Sequence, residues 1–164
     1  MIVEVIAFTV EVHEGMTDKV DDFIDKVVLP PQRGTVNTVA AVVRVAMGVV
    51  LVAASISKFT NHAALVESFI EYGVPNADRA VTLAGVVELV GGLLLIAGLM
   101  TRVVGLFLAM HFAVAVGTGG RMEMDAYHLG LGTALLVGSL FLVWAGAGPL
   151  SADAKIYERR REFF

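Results

Sequence analysis

The sequence has 164 residues, of which 57% are hydrophobic and 17% are charged, and its formal net charge is −4. Soluble domains usually contain about a quarter charged residues, so this composition excludes an ordinary water-soluble domain and favours a single membrane-embedded one. The chain has no cysteine, which excludes disulfides, thiolate metal ligands and thiol redox chemistry on this chain. The partner expected from the composition is the lipid bilayer, and no nucleic acid is expected.

Residues 1–37 are predicted to form a cytoplasmic or interfacial segment. Residues 1–12 are apolar but too short to span a bilayer, and their acidic character differs from the basic start of a cleavable signal peptide. Residues 17–29 are predicted to form an amphipathic helix that ends before Pro30. Its apolar positions recur at helical spacing: Val20, Phe23, Ile24, Val27 and Val28. The acidic opposite face either lies beside the chain's own helical bundle or docks a partner subunit.

Four apolar runs follow, at residues 38–57, 80–100, 103–118 and 128–147. Each is near the length of about 20 residues that crosses a hydrocarbon core of about 30 Å, and the third run is the shortest. The chain is therefore predicted to be all-α, with a four-transmembrane-helix bundle over residues 38–147 and an N-terminal amphipathic helix. The alternative is a soluble bundle with a very apolar core, but no run shows the polar face that such a helix needs.

The connecting segments indicate how the runs are oriented. The loop after the first run is predicted to contain a short interfacial helix at 63–72, and residues 148–164 form a basic tail. With four spans, both termini share one side with the turn at 101–102. That side carries eight lysine and arginine residues, against three on the other side. Since lysine and arginine concentrate in cytoplasmic loops, both termini are predicted to be cytoplasmic in a multi-pass protein of the cell membrane.

Ionisable residues within the apolar runs are the candidate functional groups. Such residues cost at least a few kcal/mol each at mid-depth, so they are expected to face the bundle interior and to pair. Helical spacing and depth predict a buried cluster of Arg44, His111 and Glu88, with Glu88 paired to Arg44. Nearby glycines would let the helices approach closely. Lys58 and His128 are expected at the outer mouth of the bundle, together with Glu123 and Asp125.

The buried cluster has two interpretations. The pair of Arg44 and Glu88 could fix the register of the helices, which is a known use of buried polar groups. It could instead form a site for a polar headgroup or a proton. His111 is equally interpreted as a core histidine or as a proton carrier. Glu123, Asp125 and His128 give only a weak metal signal, and no metal site is assigned.

Four segments of the sequence together resemble the DoxX family of small four-helix membrane proteins. They are RVAMGVVLVAASISKF at 44–59, SFIEYGVP at 68–75, ELVGGLLLIAGLMTR at 88–102 and GAGPLSAD at 146–153. The resemblance implies a link with membrane redox chemistry. Relatives look like subunits of a thiosulfate:quinone oxidoreductase, and others associate with partners that handle thiols or oxidative stress. It also implies that the family's polar positions correspond here to Arg44, Lys58, Glu88 and Arg102.

Three functions are compatible with the sequence. The first is a quinone-interacting subunit of a membrane oxidoreductase. In it Arg44 would stabilise negative charge and His111 or Glu88 would pass protons, while Lys58 and His128 would also contact the quinone. The second is a non-catalytic scaffold or assembly factor for a redox partner. The third is a small proton-linked carrier. The sequence favours a homo-oligomer or a complex with a redox partner, and it leaves open whether the chain is itself an enzyme.

Overall fold

The structure is a computed structural model that describes residues 34–119 and 126–163 together with Lys19. At residues 126–128 and 160–163 the description covers the backbone. Apart from Lys19, the amphipathic helix predicted at 17–29 lies outside the described residues. The loop acids Glu123 and Asp125 lie outside them as well.

Every regular element in the described ranges is helical. Helix α1 spans Thr35–Thr60, α2 spans His62–Glu71, α3 spans Ala77–Ala97 and α4 spans Thr101–Gly117. A π-helical turn at Ala126–Leu131 leads into α5 at Gly132–Ala145, and α6 spans Ala152–Phe163. By length and composition, α1 and α3 could each cross a membrane, while α4 and α5 are shorter apolar helices.

These helices confirm the all-α class, with two long apolar helices and two shorter ones. The short helix expected at 63–72 is also present as α2. That all four apolar helices span a membrane stays a prediction. The structure adds a helix where the sequence indicated only a basic tail, because Ser151 caps α6. The Ser151 Oγ accepts a hydrogen bond from the Ala154 N–H at 3.1 Å, which satisfies a donor at the start of the helix.

Two glycines bring α1 and α3 into close antiparallel contact. A Cβ atom added to Gly92 would lie 2.9 Å from the carbonyl oxygen of Gly48, and a Cβ atom added to Gly48 would lie 2.8 Å from the carbonyl oxygen of Gly92. Further along the same pair of helices, Gly85 lies opposite Lys58 and Phe59. Without these small residues the two backbones could not pack at this separation. The role predicted for the glycines is therefore confirmed.

Helices α4 and α5 form a second antiparallel pair, which packs on the first to complete an up-down-up-down bundle. A Cβ atom added to Gly105 of α4 would lie 3.1 Å from the carbonyl oxygen of Ser139 in α5. Met47 of α1 contacts Gly138 of α5, and Leu108 of α4 contacts Gly91 of α3. The interior is filled mainly by aliphatic side chains: Ala40, Met47, Leu51, Leu95, Val104, Leu108, Phe112, Leu135, Leu142 and Ala145.

Candidate functional site

Glu88 is the centre of a buried polar cluster that joins three helices. Its Oε2 accepts a hydrogen bond from the Lys58 Nζ of α1 at 2.7 Å. Its Oε1 lies 3.2 Å from the His111 Nε2 of α4. Because an ionised carboxylate only accepts hydrogen bonds, Nε2 carries the hydrogen in this contact. Both carboxylate oxygens of Glu88 are therefore engaged. The other carboxylate of α3 is Asp78, in its first turn.

The packing of the helices explains why these three side chains meet. Gly85 lies one turn before Glu88 on α3 and faces the Cβ of Lys58, so the lysine side chain can run along α3 to reach the carboxylate. His111 approaches from α4, where its ring also lies edge-on to Phe112 with centroids 5.0 Å apart. Each contact therefore depends on a different pair of helices.

The cluster is closed on Glu88 and partly open on its two partners. The side chain of Glu88 is 6% exposed, whereas those of Lys58 and His111 are 18% and 21% exposed. The lysine charge compensates the carboxylate, which makes its burial tolerable. The imidazole adds a second hydrogen-bonding group, whose ring nitrogens can donate or accept. Lys58 and His111 can therefore donate hydrogen bonds to a bound acceptor and exchange protons with it.

The predicted contact between His111 and Glu88 is confirmed, but the predicted pairing of Arg44 with Glu88 is wrong. Arg44 donates from one terminal nitrogen to the backbone carbonyls of Leu95 at 2.5 Å and Ile96 at 2.9 Å. Leu95 lies seven residues beyond Glu88, which is roughly 10 Å further along α3. The physical reason is the register of α1 against α3, which places Arg44 beside the last turn of α3, where a cation is favoured.

Arg44 belongs to a second polar cluster, at the opposite end of the bundle. Gly98 follows α3 with φ +67°, and a side chain there would collide with Arg44 and Ser151. The carboxylate of Asp153 accepts hydrogen bonds from the backbone N–H groups of Met100 at 2.7 Å and Thr101 at 2.9 Å. It therefore caps α4, whose N-terminus favours an anion. Glycine and arginine at this turn both serve to hold helix ends together.

The capping role of Asp153 was not predicted from the sequence. The backbone N–H of Asp153 also donates to the carbonyl of Gly98 at 3.0 Å, so α6 is tied to the α3–α4 turn at two points. Arg102 lies nearby and donates to the Val143 carbonyl at 3.3 Å. Both Arg44 and Arg102 interact electrostatically with Asp153. The available signal was a serine after Gly-Pro, followed two residues later by an acid, which is typical of a helix start.

The remaining predicted site residues divide in two groups. Lys58 lies in the buried cluster rather than at an outer ring, because it pairs with Glu88. The side chain of His128 lies outside the described residues, so its role stays a prediction. A third histidine, His62, has its Nε2 3.1 Å from the Thr82 Oγ1 and joins the start of α2 to α3. Among the described residues, no group of histidine and carboxylate side chains has the arrangement of a metal site.

Comparison with known proteins places these features in a family. The family model DoxX matches residues 39–121, which cover most of the bundle and include Arg44, Lys58, Glu88 and His111. An uncharacterized membrane protein of Mycobacterium tuberculosis is 32% identical over 131 residues, which cover 71% of this chain and 80% of the relative. No solved structure matches the chain. The chain therefore belongs to the DoxX family of membrane proteins.

Proposed function

We propose that this chain is a quinone-interacting subunit of a membrane oxidoreductase, and that Lys58, Glu88 and His111 form its quinone-facing site. The observation that carries the proposal is the single carboxylate held between an ammonium at 2.7 Å and an imidazole at 3.2 Å inside an apolar bundle. Such a cluster is costly in a bundle of this kind, and ionisable groups at membrane depth are functional candidates by default.

The proposal includes a four-span arrangement in the cell membrane. Each bundle helix exposes large apolar side chains, including Val42 at 63%, Leu83 at 64%, Val114 at 66% and Val137 at 59%. The ionisable groups Arg44 and Glu88 are instead buried. This distribution suits lipid as the surrounding solvent. The 17 residues of α4 rise about 26 Å, so α4 requires modest thinning of the bilayer.

In this proposal both termini lie on the cytoplasmic side. The bundle end with Arg44 and Asp153 also carries Arg102 and the exposed Lys155 and Arg159 of α6. Lysine and arginine are concentrated on the cytoplasmic side of membrane proteins. The Lys58–Glu88–His111 cluster then lies toward the outer half of the membrane, since Lys58 is near the far end of α1.

The donor groups present fit a quinone. A quinone supplies two-electron redox chemistry when bound, with two protons taken up as it is reduced, and its carbonyl oxygens accept hydrogen bonds. The Lys58 ammonium has three N–H groups, and its contact with Glu88 uses one of them. The Lys58 side chain is 18% exposed. Lys58 would therefore hold and orient a carbonyl oxygen, while Glu88 keeps the ammonium in place.

His111 and Glu88 are assigned the proton transfers. The His111 imidazole is partly exposed and its Nε2 lies 3.2 Å from the Glu88 Oε1, so it can pass a ring proton to a bound oxygen. Glu88 can return a proton to the ring only after its carboxylate has itself taken one up. A partner subunit supplies the electrons in this proposal, because the roles assigned here to Lys58, Glu88 and His111 are hydrogen bonding and proton transfer. The role predicted for Arg44, stabilising negative charge on a quinone, stays a prediction. Its distance from Glu88 favours a role in holding the end of α3.

The test is to purify the protein in native lipid particles and to measure bound quinone by mass spectrometry, with Glu88→Gln, His111→Gln and His62→Gln compared with the wild type. His62→Gln is the matched control, because it removes a histidine outside the cluster. The proposal expects quinone in the wild type and the control, and at least tenfold less in the other two variants. Equal quinone in all four samples would identify it as bulk lipid carried along. Its absence from the wild type would reject the proposal and favour a scaffold role.

A further inference from the structure

The sequence of α6 is basic beyond its first turn, and the quinone-facing cluster does not explain this. The bundle contacts of α6 described above are made at its beginning, by Ser151 and Asp153. Beyond them Lys155 and Arg159 are exposed and lie one helical turn apart. The sequence continues along the helix with Arg160 and Arg161. With Glu158 and Glu162 counted against these four cations, the helix after its cap has a net charge of 4 − 2 = +2.

The charges are arranged around an apolar stripe. Positions 156 and 163, an isoleucine and a phenylalanine, are seven residues apart and share one face of α6. Positions 159 and 160, both arginines, follow Ile156 by three and four residues and border the same face. The glutamates at 158 and 162 fall toward the opposite side. A helix with apolar residues bordered by arginines is typical of helices that lie in the plane of a membrane surface.

The residue that precedes α6 supports the same location. Leu150 is 92% exposed and has φ 58°, a left-handed conformation that a leucine rarely adopts. It lies between the contact of Gly148 with α1 and the cap formed by Ser151, so both sides of it are fixed. Exposure of this apolar side chain to water is unfavourable. At the boundary of headgroups and acyl chains, its side chain would be buried in lipid.

We propose that α6 is a lipid-binding element, which lies on the cytoplasmic bilayer surface and binds anionic lipid headgroups through the exposed Lys155 and Arg159. In this arrangement Leu150 and Ile156 enter the boundary of the acyl chains. The place of α6 in the fold favours lipid over another protein. Its first turn is bonded to the turn between α3 and α4, and the preceding Gly148 contacts the start of α1, so α6 begins at the level of these helix ends. That level is where the headgroups of a bilayer around the bundle lie.

The absence of cysteine from the chain makes the proposal directly testable. Single cysteines are introduced by Ile156→Cys or Glu158→Cys in the full chain, labelled with a nitroxide and reconstituted into lipid nanodiscs of phosphatidylcholine with or without about a third phosphatidylglycerol. Electron paramagnetic resonance then measures access of oxygen and of a water-soluble nickel complex to each label. We expect phosphatidylglycerol to make the label at 156 accessible to oxygen and inaccessible to nickel, and to leave the label at 158 accessible to nickel.

Removing the exposed basic side chains tests whether charge is responsible. Each basic residue near an anionic surface contributes about fivefold to binding, so Lys155→Gln with Arg159→Gln should shift the ratio of bound to unbound α6 roughly 25-fold. Arg79→Gln is the control, because Arg79 is exposed near the start of α3 at the other end of the bundle. Equal nickel access at 156 and 158 in both lipids would overturn the proposal. So would a label at 156 that is shielded from oxygen and nickel in both lipids, which would indicate a protein contact.

Discussion

Lys58 and Glu88 are 30 residues apart in the chain, and their side chains meet at 2.7 Å across the interface of α1 and α3. The contact requires the close approach of the two helices and the absence of a side chain at Gly85. His111, from a third helix, lies 3.2 Å from the other carboxylate oxygen. The cluster therefore depends on the packing of three helices. Mutations can separate its contribution to stability from its contribution to quinone binding.

Removing one partner of the Lys58–Glu88 pair should cost more than removing both. In Glu88→Leu the lysine ammonium would be left buried without a counter-charge, which we expect to lower the free energy of unfolding by about 3 kcal/mol. In Lys58→Met combined with Glu88→Leu the buried charges disappear together, so most of this loss should be recovered. Thermal unfolding in detergent micelles measures the difference. Equal losses in the single and double variants would show that the carboxylate contributes through packing rather than through the ion pair.

The glycine contact between α1 and α3 predicts that the effect of a glycine-to-alanine substitution on stability depends strongly on its position. Gly92→Ala would place a methyl group 2.9 Å from the carbonyl oxygen of Gly48, a backbone atom that cannot move aside alone. We expect a loss of stability of about 1–3 kcal/mol, together with weaker quinone binding at the Glu88 cluster. Gly117→Ala is the control, since no atom lies within 4 Å of the added Cβ. It should be neutral or slightly stabilising because alanine favours helix. Similar melting temperatures for both variants would contradict the described helix separation.

Asp153 should contribute to stability although it lies beyond the bundle. Asp153→Asn keeps one acceptor oxygen but places an amide NH₂ against the second N–H group of the α4 start, and it removes the charge that faces Arg44 and Arg102. We expect a loss of about 1–2 kcal/mol, as for other helix caps. The exposed Glu158→Gln on the same helix is the control and should change the melting temperature little. A loss as large in Glu158→Gln would show that general charge on α6, rather than the cap, is responsible.

The sequence predicts the helices well and their register poorly. The apolar runs and the glycines indicate the bundle, because length and composition determine which segments cross lipid and small residues determine where helices approach. The partner of Glu88 could not be predicted in the same way. Arg44 and Lys58 lie about four helical turns apart on α1. Depth estimates from the run boundaries did not identify which of them reaches Glu88. Asp153 was missed as a site residue because its partners are backbone N–H groups of a turn 50 residues earlier, which leave no pattern in the side chains.

Substitutions of Arg44 can distinguish a role in stability from a role in quinone binding. Its guanidinium bonds the carbonyls of Leu95 and Ile96 at the end of α3, far from the Lys58–Glu88–His111 cluster. Arg44→Met should therefore lower stability by about 2–4 kcal/mol, because hydrogen bonds from a buried charged group are lost, while the folded fraction keeps any bound quinone. Arg44→Lys should recover part of the stability, since an ammonium can reach fewer carbonyls than the guanidinium does. Thermal unfolding and quinone content are measured on the same preparations. If Arg44→Lys unfolds like the wild type but loses quinone to the extent of Glu88→Gln, then Arg44 acts in the site, as the sequence first indicated.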